Sequence, residues 1–133
     1  MAIKKIAARQ EPQVAILTIK HSDVTAHGTA EPAIDVPGGA IVTGGDITVV
    51  EPWNSATTAT LKLGDKADDD RYTAAAVDLK TAGRTALTLT GHKHVGIESL
   101  QALLAQTGAA ATKGEVRITV QYLTEGRATA SLG

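Results

Sequence analysis

Two stretches of this sequence carry side chains whose types and spacing suit metal chemistry. The first is the acidic turn Asp65-Lys66-Ala67-Asp68-Asp69-Asp70, with four carboxylates in six residues. Calcium takes six to eight oxygen ligands, so such a turn supplies several of them. The helix-loop-helix calcium pattern fails here, because a loop starting at Asp68 puts Tyr72 and Leu79 at ligand positions. Like charges this close repel and stay in water unless a frame holds them, so the sequence predicts a solvated turn. Arg71 is available to pair with a neighbouring carboxylate. The second stretch is His92-Lys93-His94. On a strand, residues i and i+2 face the same side, and two such imidazoles begin a zinc site. A zinc site needs a third ligand and often a fourth. His21 and His27 sit in a distant polar stretch and no His-Glu-x-x-His pattern exists, so the expectation is an exposed pair on a strand face.

Other chemistry finds less support. Ser22, Ser55, Ser99 and Ser131 all lack the Gly-x-Ser-x-Gly setting of an activated nucleophile. Gly38-Gly39 and Gly44-Gly45 are not followed by the Gly-Lys-Ser/Thr ending of a phosphate loop. Trp53 and Tyr72 suit a sugar-stacking platform, although a single Trp beside a Pro is more often a cap over the core edge. No catalytic residue, cofactor or metal is assigned.

Composition limits the function classes. Thirteen basic against fourteen acidic residues give a net charge of −1, without the clustered Lys and Arg that phosphate recognition requires. Nucleic acid is therefore not an expected partner. Cys is absent, which excludes disulfides and thiolate chemistry. No run approaches the ~18 apolar residues of a membrane span, and the N-terminal stretch lacks the apolar centre of a signal peptide. The expectation is a soluble chain that folds in a cytoplasm. Hydrophobic residues reach 43% but aromatics only 2%, so the core must be a thin one of Val, Ile, Leu and Ala. A chain of this kind gains from burying further surface against a partner.

The elements that position these residues are strands. Val116, Ile118, Val120 and Tyr122 alternate with polar residues, as do Ala59, Leu61 and Leu63. Residues 14–20 and 33–36 read as strands, with Pro32 barring a central-strand role. Residues 40–50 form one strand or two, with Gly44-Gly45 marking a bulge or bend. Further strands are expected at 72–79, at 87–90 with a continuation over 92–97, and at 100–104, where the helical spacing of Leu100, Leu103 and Leu104 competes. Residues 81–84 read as a turn, and residues 106–114 as a hairpin connector. About eight strands without a convincing helix predict an all-β, jelly-roll-like β-sandwich over residues 13–124. Residues 1–12 form an N-terminal arm and 125–133 a C-terminal tail, both too poor in apolar residues to anchor themselves.

In order along the chain, Gly45-Asp46-Ile47-Thr48-Val49-Val50, the Asn54-Ser55 loop, Leu61-Lys62-Leu63-Gly64-Asp65 and Asp70-Arg71-Tyr72 form the first half of an ordered set. Thr81-Ala82-Gly83-Arg84, Leu87-Thr88-Leu89-Thr90-Gly91 and the closing GEVRITVQY from Gly114 to Tyr122 complete it. As a set covering about two-thirds of the chain, these motifs resemble the capsid decoration, or cement, proteins of tailed-phage heads. The resemblance implies a β-sandwich on the outside of the capsid that clamps neighbouring subunits and carries no catalytic residues. It implies the major capsid protein as partner, a homo-oligomer (dimer or trimer) on the capsid, and a virion location after synthesis in the host cytoplasm. Ile3, Lys4, Lys5, Ile6, Arg9 and Trp53 are the candidate contacts. The alternative is a carbohydrate-binding module that uses Trp53 and Tyr72, and glycan binding by the isolated protein would distinguish it.

Overall fold

The computed structural model describes residues 3–124 and 128–131. Its strands are β1 (Ala8–Gln10), β2 (Gln13–Lys20), β3 (Ala30–Val36), β4 (Ala40–Glu51), β5 (Thr58–Gly64), β6 (Val77–Asp78), β7 (Gly83–Ala86), β8 (Glu98–Thr107), β9 (Glu115–Thr124) and β10 (Ala128–Ser131). A 3₁₀ turn at His21–Asp23 follows β2, fastened by Asp23 Oδ2 accepting from the Lys20 amide at 2.8 Å.

Two four-stranded antiparallel sheets stack face to face, in the orders β2-β9-β4-β7 and β3-β8-β5-β6. Along β2 to β9, every link except β5 to β6 passes from one sheet to the other. This is the jelly roll, two sheets of four strands with interleaved connections. The expected sandwich is therefore present. The connector at 106–114 is not a hairpin, however, because β8 and β9 lie in different sheets. It crosses the end of the sandwich and is held there by Asn54, whose Oδ1 accepts from the amides of Thr112 (2.7 Å) and Lys113 (3.0 Å).

The alternating sequences behave as their period requires. In β5, Ala59, Leu61 and Leu63 are buried, and in β9, Val116, Ile118 and Val120. Residues 40–51 form one strand, with a register shift between Val42 and Gly44 opposite β9, the bulge expected at Gly44-Gly45. β3 begins at Ala30, earlier than expected. Pro32 is tolerated because β3 is an edge strand and shifts register between Pro32 and Ile34. LQALL lies within β8, where cross-sheet packing of Leu100, Ala102 and Leu104 overrides its helical spacing.

Other expectations are corrected. Of residues 72–79 only Val77–Asp78 is strand, since Tyr72 to Ala76 follow an irregular path anchored by the Tyr72 amide on the Leu63 carbonyl (2.9 Å). Gly83 and Arg84 are strand rather than turn. The 87–90 strand is absent: the Thr88 amide bonds to the Tyr72 carbonyl (2.9 Å), which takes the chain out of the sheet. Residues 92–97 contribute one isolated bridge, Lys93 to Ile41. The arm contains β1, which pairs antiparallel with β10 in the tail, Ala8 opposite Ser131. The rest of the tail, residues 125–127 and 132–133, lies outside the described residues.

Candidate functional site

The structure brings the acidic turn and the histidine pair together. Asp65 leaves the end of β5 and folds the turn around itself. Its Oδ1 accepts from the amides of Ala67 (3.0 Å) and Asp68 (2.9 Å), and Arg71 Nε donates to Oδ2 at 2.5 Å. The turn closes so tightly that a Cβ on Gly64 would stand 2.1 Å from the Asp68 carbonyl oxygen, which is why glycine occupies that position. Burial works to raise the Asp65 carboxyl. The hydrogen bonds from Arg71 and from the two amides, with the guanidinium charge, outweigh it and hold the group below the ordinary carboxylate range.

The turn delivers Tyr72 into the core, where its hydroxyl meets His94 Nε2 at 2.7 Å. His94 Nδ1 contacts Glu98 Oε1 at the start of β8. The backbone of His94 is also fixed, its amide donating to Ala40 (2.8 Å) and its carbonyl accepting from Gly39 (2.7 Å). His92 presents its ring edge-on to His94 with centroids 4.9 Å apart. One ligand atom from each of Asp65, His92, His94 and Glu98 lies within 4.8 Å of the others. The pair does share a side, as i and i+2 spacing requires, but it is not an exposed strand face: His94 is fully buried and His92 half-buried. Asp68, Asp69 and Asp70 remain a separate, exposed acidic group, the solvated part of the turn. Linear spacing gave no sign that Asp65 and Glu98 join the histidines, because the four residues come from three segments.

The proposed sugar platform is not formed. Trp53 is 2% exposed and Tyr72 1%, so neither ring offers a face to solvent. Trp53 lies under the backbone of Gly114, and its Nε1 has no hydrogen-bond partner among the described residues. The expected partner contact through Trp53 is corrected for the same reason, since the residue belongs to the core. Ile3, Lys4, Lys5, Ile6 and Arg9 are all exposed on the arm. The sequence reading missed Val95 and Ile97, 89% and 87% exposed on the turn around Gly96 that follows the histidine pair. Two aliphatics flanking a glycine were the only signal there.

No protein-family model matches the chain, and no curated protein is similar to it. Solved structures do match. A chain of the cyanophage Pam1 capsid asymmetric unit superposes with a TM-score of 0.69 at 23% identity, over 92% of this chain and 91% of that one. The fold is one that phage capsids contain. The acid-stable capsid of Helicobacter pylori bacteriophage KHP30 holds a chain at TM-score 0.63 and 14% identity, covering 84% of this chain and 86% of the other. The capsid of Ralstonia phage GP4 gives 0.60 at 20% identity, over 92% and 89%. At these identities the likeness establishes the jelly roll.

Proposed function

We propose that this chain is a structural protein of a phage virion, a decoration subunit that sits on the outside of the head and clamps neighbouring copies of the major capsid protein. The observation carrying this reading is the reciprocal, nearly whole-chain match to chains of three phage capsids. Because 92% of this chain covers 91% of the Pam1 chain, that chain is about the same size. A capsid chain of this size suits a small added subunit.

The surface supports the same reading. The arm carries exposed Ile3 and Ile6 among Lys4, Lys5 and Arg9, which suits insertion of aliphatics beside acidic groups on a neighbour. Each copy then makes several modest contacts, and the first raises the effective concentration for the next. A dimer or trimer on the capsid multiplies this effect. The role is structural rather than catalytic, and the carbohydrate reading loses its support with Trp53 and Tyr72 both in the core.

The test is sedimentation of purified protein with capsids that lack it, followed by electron cryo-microscopy of the pellet. The proposal expects saturable co-sedimentation and added density on the outer surface. Protein that stays in the supernatant, and is also missing from purified virions, would overturn it.

A further inference from the structure

We propose that His92, His94 and Glu98, with Asp65 on the fourth side, form a binding site for a zinc-class divalent metal ion at the rim of the sandwich. Two imidazoles and two carboxylates are a donor set that suits zinc. Calcium prefers oxygen alone, and softer ions prefer thiolates. Donor atoms around tetrahedral zinc stand roughly 3.3–3.6 Å apart, given metal–ligand bonds of about 2.0–2.2 Å. All four groups here already lie within 4.8 Å of one another, so side-chain rotation closes the remaining gap.

The hydrogen bonding around the cluster supports an ion in two ways. First, His92 is half-buried yet makes no hydrogen bond among the described residues, so its nitrogens are available to the metal. A network of Tyr72, His94 and Glu98 alone satisfies His94 and leaves His92 without a role. Second, the Tyr72 hydroxyl both donates and accepts. Without metal it donates to His94 Nε2 while Nδ1–H faces Glu98. With metal on Nδ1, the hydroxyl accepts from Nε2–H instead, so the Tyr72–His94 hydrogen bond persists, while the Nδ1–H bond to Glu98 is exchanged for coordination of both groups to the ion. A metal-bound histidine whose other N–H is held by an oxygen is the usual arrangement around protein-bound zinc. Asp65 keeps its two amide donors and its short Arg71 contact. The longer one, from Arg71 Nη2 at 3.4 Å, is what an ion displaces. The bound ion ties the acidic turn after β5 to the segment before β8, the segment that also carries exposed Val95 and Ile97.

The test uses the full chain, stripped with a chelator and titrated with zinc sulfate. Expected are one zinc per chain by elemental analysis, a higher melting temperature, and a change of His94 tautomer in nitrogen-15 spectra. Cobalt in place of zinc should give visible absorption bands of a four-coordinate site. His92→Ala and Glu98→Gln, both at partly exposed positions and so compatible with folding, should each weaken binding by at least about tenfold. A triple variant Asp68→Asn, Asp69→Asn, Asp70→Asn should bind as the parent does. The proposal is overturned if the parent takes up no zinc at about 100 µM. It is also overturned if uptake survives His92→Ala, or if uptake is lost in the triple variant.

Discussion

The hydroxyl of Tyr72 and Nε2 of His94 meet at 2.7 Å, 22 residues apart in the chain and both shut off from solvent. Through this contact the loop after β5 is fastened to the segment that precedes β8. Neither segment is regular structure, so side-chain hydrogen bonds do there what ladder bonds do elsewhere.

Replacing Tyr72 by Phe keeps the ring and leaves the buried imidazole nitrogen without its partner. The expected cost is about 1–3 kcal/mol, read as a lower urea midpoint with an unchanged slope. The alkaline limb follows from the same site. Burial, with the charge of Asp65, pushes the Tyr72 phenol up to about 12. An unfolded tyrosine ionises near 10, so the unfolded state releases its proton first as pH rises. Stability from the neutral phenol is complete below pH 10 and falls between about 10 and 12. Tyrosinate absorbance should show a late component in this window that vanishes in the Phe variant.

Asp65→Asn removes the charge that Arg71 holds, and should cost about 1.5–3 kcal/mol at neutral pH. Because the folded carboxyl titrates below its unfolded value, its contribution is present above about pH 4 and disappears as pH falls through the folded pKa. The variant should therefore lose less stability than the parent between pH 5 and 2. Denaturant melts of parent and variant, run side by side across that range, should give stabilities that converge at the acid end; a constant difference would contradict it.

Gly114→Ala should be among the most damaging single-methyl additions. Its Cβ would stand 2.5 Å from Trp53 Cγ, and φ at this position is +148°, which alanine rarely adopts. Overpacking alone costs about 1–3 kcal/mol, and the backbone strain adds to it. Thermal melts with Trp fluorescence should show both a lower midpoint and an altered native spectrum. An unchanged spectrum and midpoint would mean that the loop carrying Trp53 gives way freely.

Deleting residues 2–10 takes away β1 and the partner of β10 and leaves the two sheets intact. The truncated protein should melt cooperatively yet bind capsids more weakly than the full chain, measured by co-sedimentation. Equal binding would make the arm a passive tail, and failure to fold would make it part of the core.

What the sequence determined by itself was the face each strand presents. The alternation in β5 and β9 assigned Ala59, Leu61, Leu63, Val116, Ile118 and Val120 to the interior, because a period of two is local geometry. The glycine pair marked the β4 bulge for an equally local reason. Alternation does not say where a strand ends once the chain leaves a sheet, so Leu87 and Leu89 read as a strand that is not there. Leu87 is buried and Leu89 is half-exposed, set by the crossing path of the chain. The same limit concealed the candidate site. The acidic turn and the histidine pair stand out separately along the chain, but Asp65, Tyr72, His92, His94 and Glu98 meet only because the loop after β5 and the segment leading into β8 reach one rim of the fold. Period and turn chemistry act over a few residues. Which distant side chains share a space is decided by how the two sheets stack, and that is a property of the packed fold alone.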